Sequence, residues 1–206
     1  TSCEGLYTSR GDDGSYYLIL DGQTGSANTL ASMILYYGAR QQQLVTYHPI
    51  TVENLFTATQ RYSSLLKSQD IDDDGTVEIP VQLDGAGMEN LAVNRLSFVA
   101  WMDYTTEYDQ VKSFGVADLE YGYYLRLPDE WQGQVLLTDG DEADSWQVRS
   151  ADGETLLLTV RVVDPNAQSG GYFQLGNLGA QKVQARIGAQ GENVQSGELI
   201  RGFRPL

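Results

Sequence analysis

The chain has 206 residues, of which 41% are hydrophobic and 20% charged, a composition typical of folded domains with a buried core. Acidic residues outnumber basic ones by 28 to 13, which gives a formal net charge of −15. Nucleic acids and anionic membrane surfaces bind positively charged faces, and no basic cluster is present in the sequence, so we expect neither as a partner.

Cysteine content and hydropathy restrict the chain further. Cys3 is its only cysteine, which leaves no internal disulfide and no cysteine-based zinc site. No apolar run approaches the ~18 residues of a membrane-spanning helix, so we expect no transmembrane segment. Residues 1–3 could end a lipoprotein cleavage motif of a longer precursor, with Cys3 acylated; an ordinary cysteine near an arbitrary boundary is the alternative.

The first third of the chain alternates β-rich runs with turn residues. Strands are predicted over 16–20, 30–37 and 41–47, and the break at Gly38 between the last two is typical of a hairpin. Residues 52–66 fit either a short helix or a strand, because their apolar residues match both periodicities.

An acidic segment follows at residues 70–80. Asp70, Asp72 and Asp74 alternate along a turn, so their side chains can converge on one point, and Gly75 allows the sharp backbone reversal. Oxygen ligands in this arrangement are those that calcium prefers. A solvated acidic turn is the alternative, but four crowded carboxylates repel each other unless a cation neutralises them. The predicted calcium ligands are Asp70, Asp72, Asp74, the carbonyl of Thr76 and the carboxylate of Glu78.

The spacing of these ligands excludes an EF-hand, because the twelfth loop position, which needs a bidentate acid, is Val81. The segment, with the β-like residues 77–80 after it, resembles the calcium loop of FG-GAP (integrin-type) propeller repeats. It is also similar to the DIDGDG-x-x-EIP segment of exported lipoproteins from Gram-positive gut bacteria, with Asp73 in place of a usual glycine.

Residues 17–22, 32–37 and 43–44 extend this resemblance to the closing blade of a propeller. The resemblance implies an exported, cell-surface protein and a strand over 56–62 before the calcium loop. Only one such loop is present, so the chain would contain just the end of a propeller.

The glycines and polar residues at 85–90 mark the predicted boundary between two units, 1–92 and 93–206. After the boundary, turn signals separate short β-rich runs, which predicts antiparallel sheets. Strands are predicted over 95–105, 121–127, 135–137, 146–148, 156–163 and 182–187, with one helical turn at 128–133. The expected fold class is mainly β, a sandwich or barrel-like arrangement with little helix and a partial propeller-like blade at the N-terminus.

Two of these runs differ in their apolar faces. In 156–163 the side chains of Leu156, Leu158, Val160 and Val162 should face inward, which makes this the best candidate for a central strand. The run 182–187 alternates cleanly, so Gln184 is expected on a face in contact with water.

Two functional hypotheses remain open. The first is a non-catalytic, exported or cell-surface bacterial module, stabilised by calcium, that binds a glycan, a peptide or another domain of the same protein. The second is a fragment of a glycoside or peptidoglycan hydrolase with paired carboxylates. The first is favoured because the single histidine, His48, has no catalytic signature around it. A ligand platform could be formed by Trp101, Tyr123, Trp131 and Trp146, for which core packing is the alternative.

Overall fold

The computed structural model describes residues 2–11, 14–25, 29–85, 95–106, 108–189, 191 and 194–206. Over these residues the chain forms three antiparallel sheets and two short α-helices, and none of the sheets closes into a barrel. The predicted mainly β fold class is therefore confirmed.

The chain divides into two compact units, Thr1–Gln82 with Val99–Ser113, and Leu83–Phe98 with Phe114–Leu206. The predicted boundary near 84–92 falls mostly on residues 86–94, which lie outside the described residues.

The first unit contains a four-stranded sheet. Its strands are β1 (Cys3–Arg10), β2 (Tyr16–Gln23), β3 (Leu30–Gly38) and β4 (Gln43–Thr46). They lie in the order β1-β2-β3-β4, and each neighbouring pair is antiparallel. Such an up-and-down, four-stranded sheet is also the form of a single propeller blade.

The strand predicted over 56–62 is wrong, because a short helix α1 (Leu55–Ala58) begins there. Asn54 caps this helix, and its side-chain oxygen accepts a hydrogen bond from the backbone N–H of Thr57 at 3.1 Å. In the rest of the predicted strand, residues 59–62, only Arg61 pairs with a strand, through an isolated bridge to Leu30 of β3.

The inner face of the four-stranded sheet supports the core of the first unit. Period-two alternation turns Tyr17, Ile19 and Ile34 to this face, and each is less than a tenth exposed. They pack with side chains from α1 and from the segment after the acidic loop. Leu55, Val77, Ile79 and Tyr104 complete the cluster. The loop is therefore anchored on its C-terminal side by buried apolar residues.

The remaining strands form two five-stranded sheets. These strands are β5 (Ile79–Leu83), β6 (Leu96–Asp103), β7 (Gln110–Asp118), β8 (Tyr123–Arg126), β9 (Val135–Asp139), β10 (Ser145–Ser150), β11 (Leu156–Val163), β12 (Phe173–Leu178), β13 (Gln181–Ile187) and β14 (Phe203–Pro205); helix α2 covers Ser196–Arg201. The sheet orders are β12-β13-β11-β10-β9 and β14-β8-β7-β6-β5. Residues 99–103 of β6 and 110–113 of β7 belong to the first unit.

Strand β11 is central in its sheet, as its apolar pattern predicts. Leu158, Val160 and Val162 are buried in the core of the second unit, while Leu156 is only half-buried. The prediction that Gln184, on the neighbouring strand β13, faces water is wrong, because Gln184 is only 3% exposed. Its side-chain oxygen accepts hydrogen bonds from Nε and Nη2 of Arg161, at 3.1 and 2.9 Å.

Candidate metal centre

The acidic segment folds into a tight loop that is closed by its first carboxylate. Oδ1 of Asp70 accepts the backbone N–H of Asp74 at 3.0 Å, and Oδ2 accepts that of Gly75 at 2.9 Å. Gly75 has φ of +90° and Asp73 has φ of +64°, a region that L-residues other than Asn and Asp rarely adopt. Asp73 thus occupies a left-handed position that glycine would adopt without strain.

Three carboxylates converge inside this loop. Asp70, Asp72 and Glu78 each offer one oxygen, and these oxygens all lie within 4.8 Å of one another. The side chains come from the first, third and ninth loop positions, three of the positions that the sequence spacing predicts. Burial and the charge of Asp74 raise the pKa of Asp72 above its usual value, as expected for crowded acids.

Glu78 is the buried member of this group. Its side chain is 0% exposed, and Oε2 accepts the backbone N–H of Ile71 at 2.9 Å. Oε1 is also buried and has no hydrogen-bond partner among the described residues. Burial, with a smaller contribution from the neighbouring aspartates, raises the pKa of Glu78 to about 8. Because buried carboxylates are normally hydrogen-bonded or bound to metals, this free oxygen fits a cation at the site.

Asp74 does not join the converging group. Its Oδ1 accepts the backbone N–H of Thr76 at 2.7 Å, and its Oδ2 accepts Nζ of Lys112 at 2.8 Å. Burial raises the pKa of Asp74, but the hydrogen bonds from Lys112 and Thr76 outweigh it and the pKa lies below its usual value. The hydrogen bond to Asp74 in turn raises the pKa of Lys112. Lys112 lies 38 residues farther along the chain, so local sequence spacing could not have indicated it.

Three of the four predicted platform aromatics are core residues. Trp101, Tyr123 and Trp146 are 0% exposed, and Nε1 of Trp146 donates a hydrogen bond to Oη of Tyr123 at 2.8 Å. Trp131, in the 3-10 turn Asp129–Trp131, is half-buried against the core of the second unit. The burial of these three residues leaves no surface platform of the predicted composition.

A cavity of about 470 Å³ lies in the second unit beside α2. Its charged lining residues are Arg126, Asp129, Glu130, Glu198 and Arg201. Arg126 lies 3.4 Å from the carboxylate of Asp129 and forms an exposed ion pair with it. Asp129, Glu130 and Glu198 are the acids that this cavity offers to the hydrolase hypothesis, which stays a prediction. His48 is exposed.

The outward-facing side of the first sheet, which we call the outer face, is apolar. Strand register places Leu6, Leu20 and Met33 in one row across β1, β2 and β3. The larger apolar side chains on the outer face are Leu6, Tyr16, Leu18, Leu20, Met33, Leu35, Tyr37 and Leu44. Leu6 is 61% exposed and Tyr37 60%. Only Glu4 and Arg10 add charge to the strand positions on this side.

Comparison with known proteins assigns the chain to no family. Neither the models of protein families nor the curated proteins contain a match to it. None of the helices in the described residues is long and apolar enough to cross a membrane. The fold and the loop therefore define a β-rich protein of two units whose first unit contains a candidate cation site.

Proposed function

We propose that this chain is a non-catalytic module in which calcium, bound by the acidic loop, stabilises the first β-rich unit. The observation that carries the proposal is the carboxylate of Glu78, which converges with those of Asp70 and Asp72 and whose buried Oε1 has no hydrogen-bond partner in the described part of the chain. A divalent cation would compensate the negative charge of this buried carboxylate.

The chemistry of the donors favours calcium among common cations. Asp70, Asp72, Glu78 and the Thr76 carbonyl would hold it through oxygen alone, whereas zinc sites use mainly nitrogen and sulfur. Magnesium requires a nearly ideal octahedron at short distances, but calcium accepts variable geometry and water ligands. Three carboxylates on one short loop suit calcium better for this reason.

The loop is connected to the core in a way that would transmit this stabilisation. Gln69 and Glu78 form an isolated antiparallel bridge with backbone hydrogen bonds of 2.9 and 3.0 Å. Ile71, inside the loop, is buried. Because the carboxylates converge only when the bridge and the buried residues are in place, calcium would bind the folded state selectively and stabilise it.

Thermal unfolding of metal-free protein tests the proposal. Calcium added in excess over chelator should raise the melting temperature in proportion to the logarithm of the calcium concentration. At a calcium concentration of 100 times Kd, the free energy of unfolding should increase by about 2.7 kcal/mol. Asp72→Asn and Glu78→Gln should lose this response, and Glu154→Gln, at an exposed turn of the second unit, should keep it. A wild-type melting temperature that is unchanged up to about 5 mM calcium would refute the site, because even extracellular calcium modules bind at about 10⁻⁴–10⁻³ M.

We infer from the lipoprotein resemblance that the module works on the outside of a bacterial cell. An affinity in the range of extracellular calcium modules, about 10⁻⁴–10⁻³ M, would support this location, because cytosolic calcium is too dilute to fill such a site. A nanomolar Kd would contradict it.

The surface of the first unit favours a protein as binding partner over a glycan. Three of the four aromatic residues expected for sugar stacking are buried, while the outer face presents leucine, methionine and tyrosine. Five side chains of the outer face, those of Leu6, Tyr16, Met33, Tyr37 and Leu44, are 40–73% exposed. Contiguous exposed apolar surface of this kind is typical of protein–protein interfaces. We propose a second copy of the chain as the occupant, because this nearly uncharged sheet lets two copies stack while the acidic residues remain in water.

Sedimentation velocity across a range of concentrations tests this partner. The wild-type chain should dimerise, and more strongly at higher salt, because screening reduces repulsion between two copies of charge −15. Leu6→Lys and Met33→Lys should abolish the dimer. Ile50→Lys should preserve it, since Ile50 is 90% exposed but lies outside the sheet strands. A monomer at all concentrations would exclude the second copy.

A further inference from the structure

We infer that Lys112 lowers the calcium affinity of the acidic loop by holding Asp74, so that this lysine is a built-in competitor of the metal ion. The inference rests on the proposed calcium site and concerns how tightly that site binds. It assigns to one lysine of β7 a role that the loop's own spacing does not reveal.

The first observation is the state of Asp74. This residue stands at the fifth loop position, where the spacing predicts a calcium ligand, yet its oxygens do not belong to the converging group of Asp70, Asp72 and Glu78. Both of its carboxylate oxygens are engaged, Oδ1 by the backbone N–H of Thr76 and Oδ2 by Lys112. Lys112 therefore occupies the oxygen through which Asp74 would otherwise attract a cation.

The second observation is the setting of Lys112. Its side chain is only 19% exposed, and its Nζ lies 2.8 Å from Asp74. Asp103, at the end of β6, is 1% exposed and its Oδ2 has no hydrogen-bond partner among the described residues. The ion pair with Asp74 keeps the ammonium of Lys112 close to the loop.

Electrostatics fixes the direction of the effect. A divalent ion in the loop and the ammonium of Lys112 repel each other, and each competes for the negative charge of Asp74. With the effective dielectric close to that of water, about 80, one positive charge about 5–9 Å from a divalent ion changes its binding constant about five- to twentyfold. Lys112→Met keeps most of the side chain's apolar stem, so calcium should bind about five- to twentyfold more tightly to this variant.

Calorimetric titration of metal-free protein with calcium tests the inference. The series comprises wild type, Lys112→Met, Lys112→Arg and the control Lys67→Met, which removes an exposed lysine of the same unit. We expect tighter binding only in Lys112→Met, since arginine keeps the positive charge. Asp74→Asn combined with Lys112→Met should bind calcium about as tightly as wild type, because the two changes remove one positive and one negative charge together. Circular dichroism in chelator checks that each variant is folded.

The outcomes separate the inference from the proposed function. Wild type that binds calcium with the same affinity as Lys112→Met overturns the inference and leaves the site intact. Equal gains in Lys112→Met and Lys67→Met also overturn it, because the effect would then be one of net charge. Absence of binding in both wild type and Lys112→Met refutes the calcium site itself. If Lys112→Met does not fold, Lys112→Gln takes its place, with the same expected gain.

Discussion

Arg61 and Asp21 form a completely buried ion pair in the first unit, with Nη2 of Arg61 2.7 Å from Oδ1 of Asp21. The hydroxyls of Ser32 and Ser68 also donate to Asp21, at 2.6 and 2.7 Å. Burial lowers the pKa of Arg61, and the charge of Asp21 opposes this effect. The pair connects the segment after α1 to β2, and therefore fixes the chain that leads into the acidic loop.

Removal of one partner of this pair should be costly. Asp21→Ala is expected to lower the free energy of unfolding by about 3–5 kcal/mol, because it leaves a buried guanidinium without its counter-ion. The double variant Asp21→Ala/Arg61→Met should cost less than the sum of the single variants, since no buried charge remains. Urea unfolding measures all three, and additive losses would contradict the coupling.

The pKa of Glu78 predicts how metal-free stability depends on pH. Its folded-state pKa of about 8 exceeds the ordinary value of 4.5, so between these two values the folded state keeps a proton that the unfolded state releases. The stability contributed by protonated Glu78 is therefore complete below about pH 4.5 and is lost as the pH rises through about 8.

The difference in stability between wild type and Glu78→Gln isolates the contribution of the Glu78 carboxyl group. In chelator, Glu78→Gln should become progressively more stable than wild type from pH 5 to pH 8, because glutamine stays neutral. Above that range the difference should level off. Thermal melts of both proteins in the same buffers measure it, and stability curves that stay parallel would show that Glu78 titrates normally.

Backbone strain in the loop predicts opposite effects on stability for two substitutions, Asp73→Gly and Gly75→Ala. Asp73→Gly should leave the metal-free protein unchanged or stabilise it by up to about 1 kcal/mol, because glycine adopts the left-handed φ of this residue without strain. Gly75→Ala should destabilise by about 1–2 kcal/mol, since its φ is +90° although no atom lies within 4 Å of an added Cβ. Chemical denaturation measures both, and a stabilising Gly75→Ala would contradict this assignment.

The corrected position of Gln184 changes the expected effect of its truncation. Leu158→Ala should cost about 2–5 kcal/mol because Leu158 is 0% exposed in the core of the second unit. Gln184→Ala should cost about 1–3 kcal/mol, because it removes the acceptor of two hydrogen bonds from Arg161. Gln174→Ala, at an exposed position of β12, is the control and should lie within about 0.5 kcal/mol of wild type. Equal denaturation midpoints for Leu158→Ala and Gln174→Ala would refute the assignment of faces.

Local pattern was sufficient for several elements. β-rich runs between turn residues predicted β2 and β3, and the apolar face of residues 156–163 predicted β11, since side chains of a strand point to opposite faces whatever the strand packs against. Local pattern did not indicate β7 or β12, in which glycine and polar residues interrupt the alternation. In residues 52–66 the helix and strand patterns overlap, and the Asn54 cap favoured a helical turn.

The sequence by itself determined that the protein is β-rich and that Asp70, Asp72 and Glu78 could converge, because loop spacing and a glycine turn are local properties. Only the tertiary structure decided that Lys112 from a distant strand pairs with Asp74. It also buried Gln184 on a strand that alternation placed half in water. The physical reason is the same in both cases: alternation sets which way a side chain points, but the elements that cover that face, and the charges they bring, are set by pairing between residues far apart in the chain.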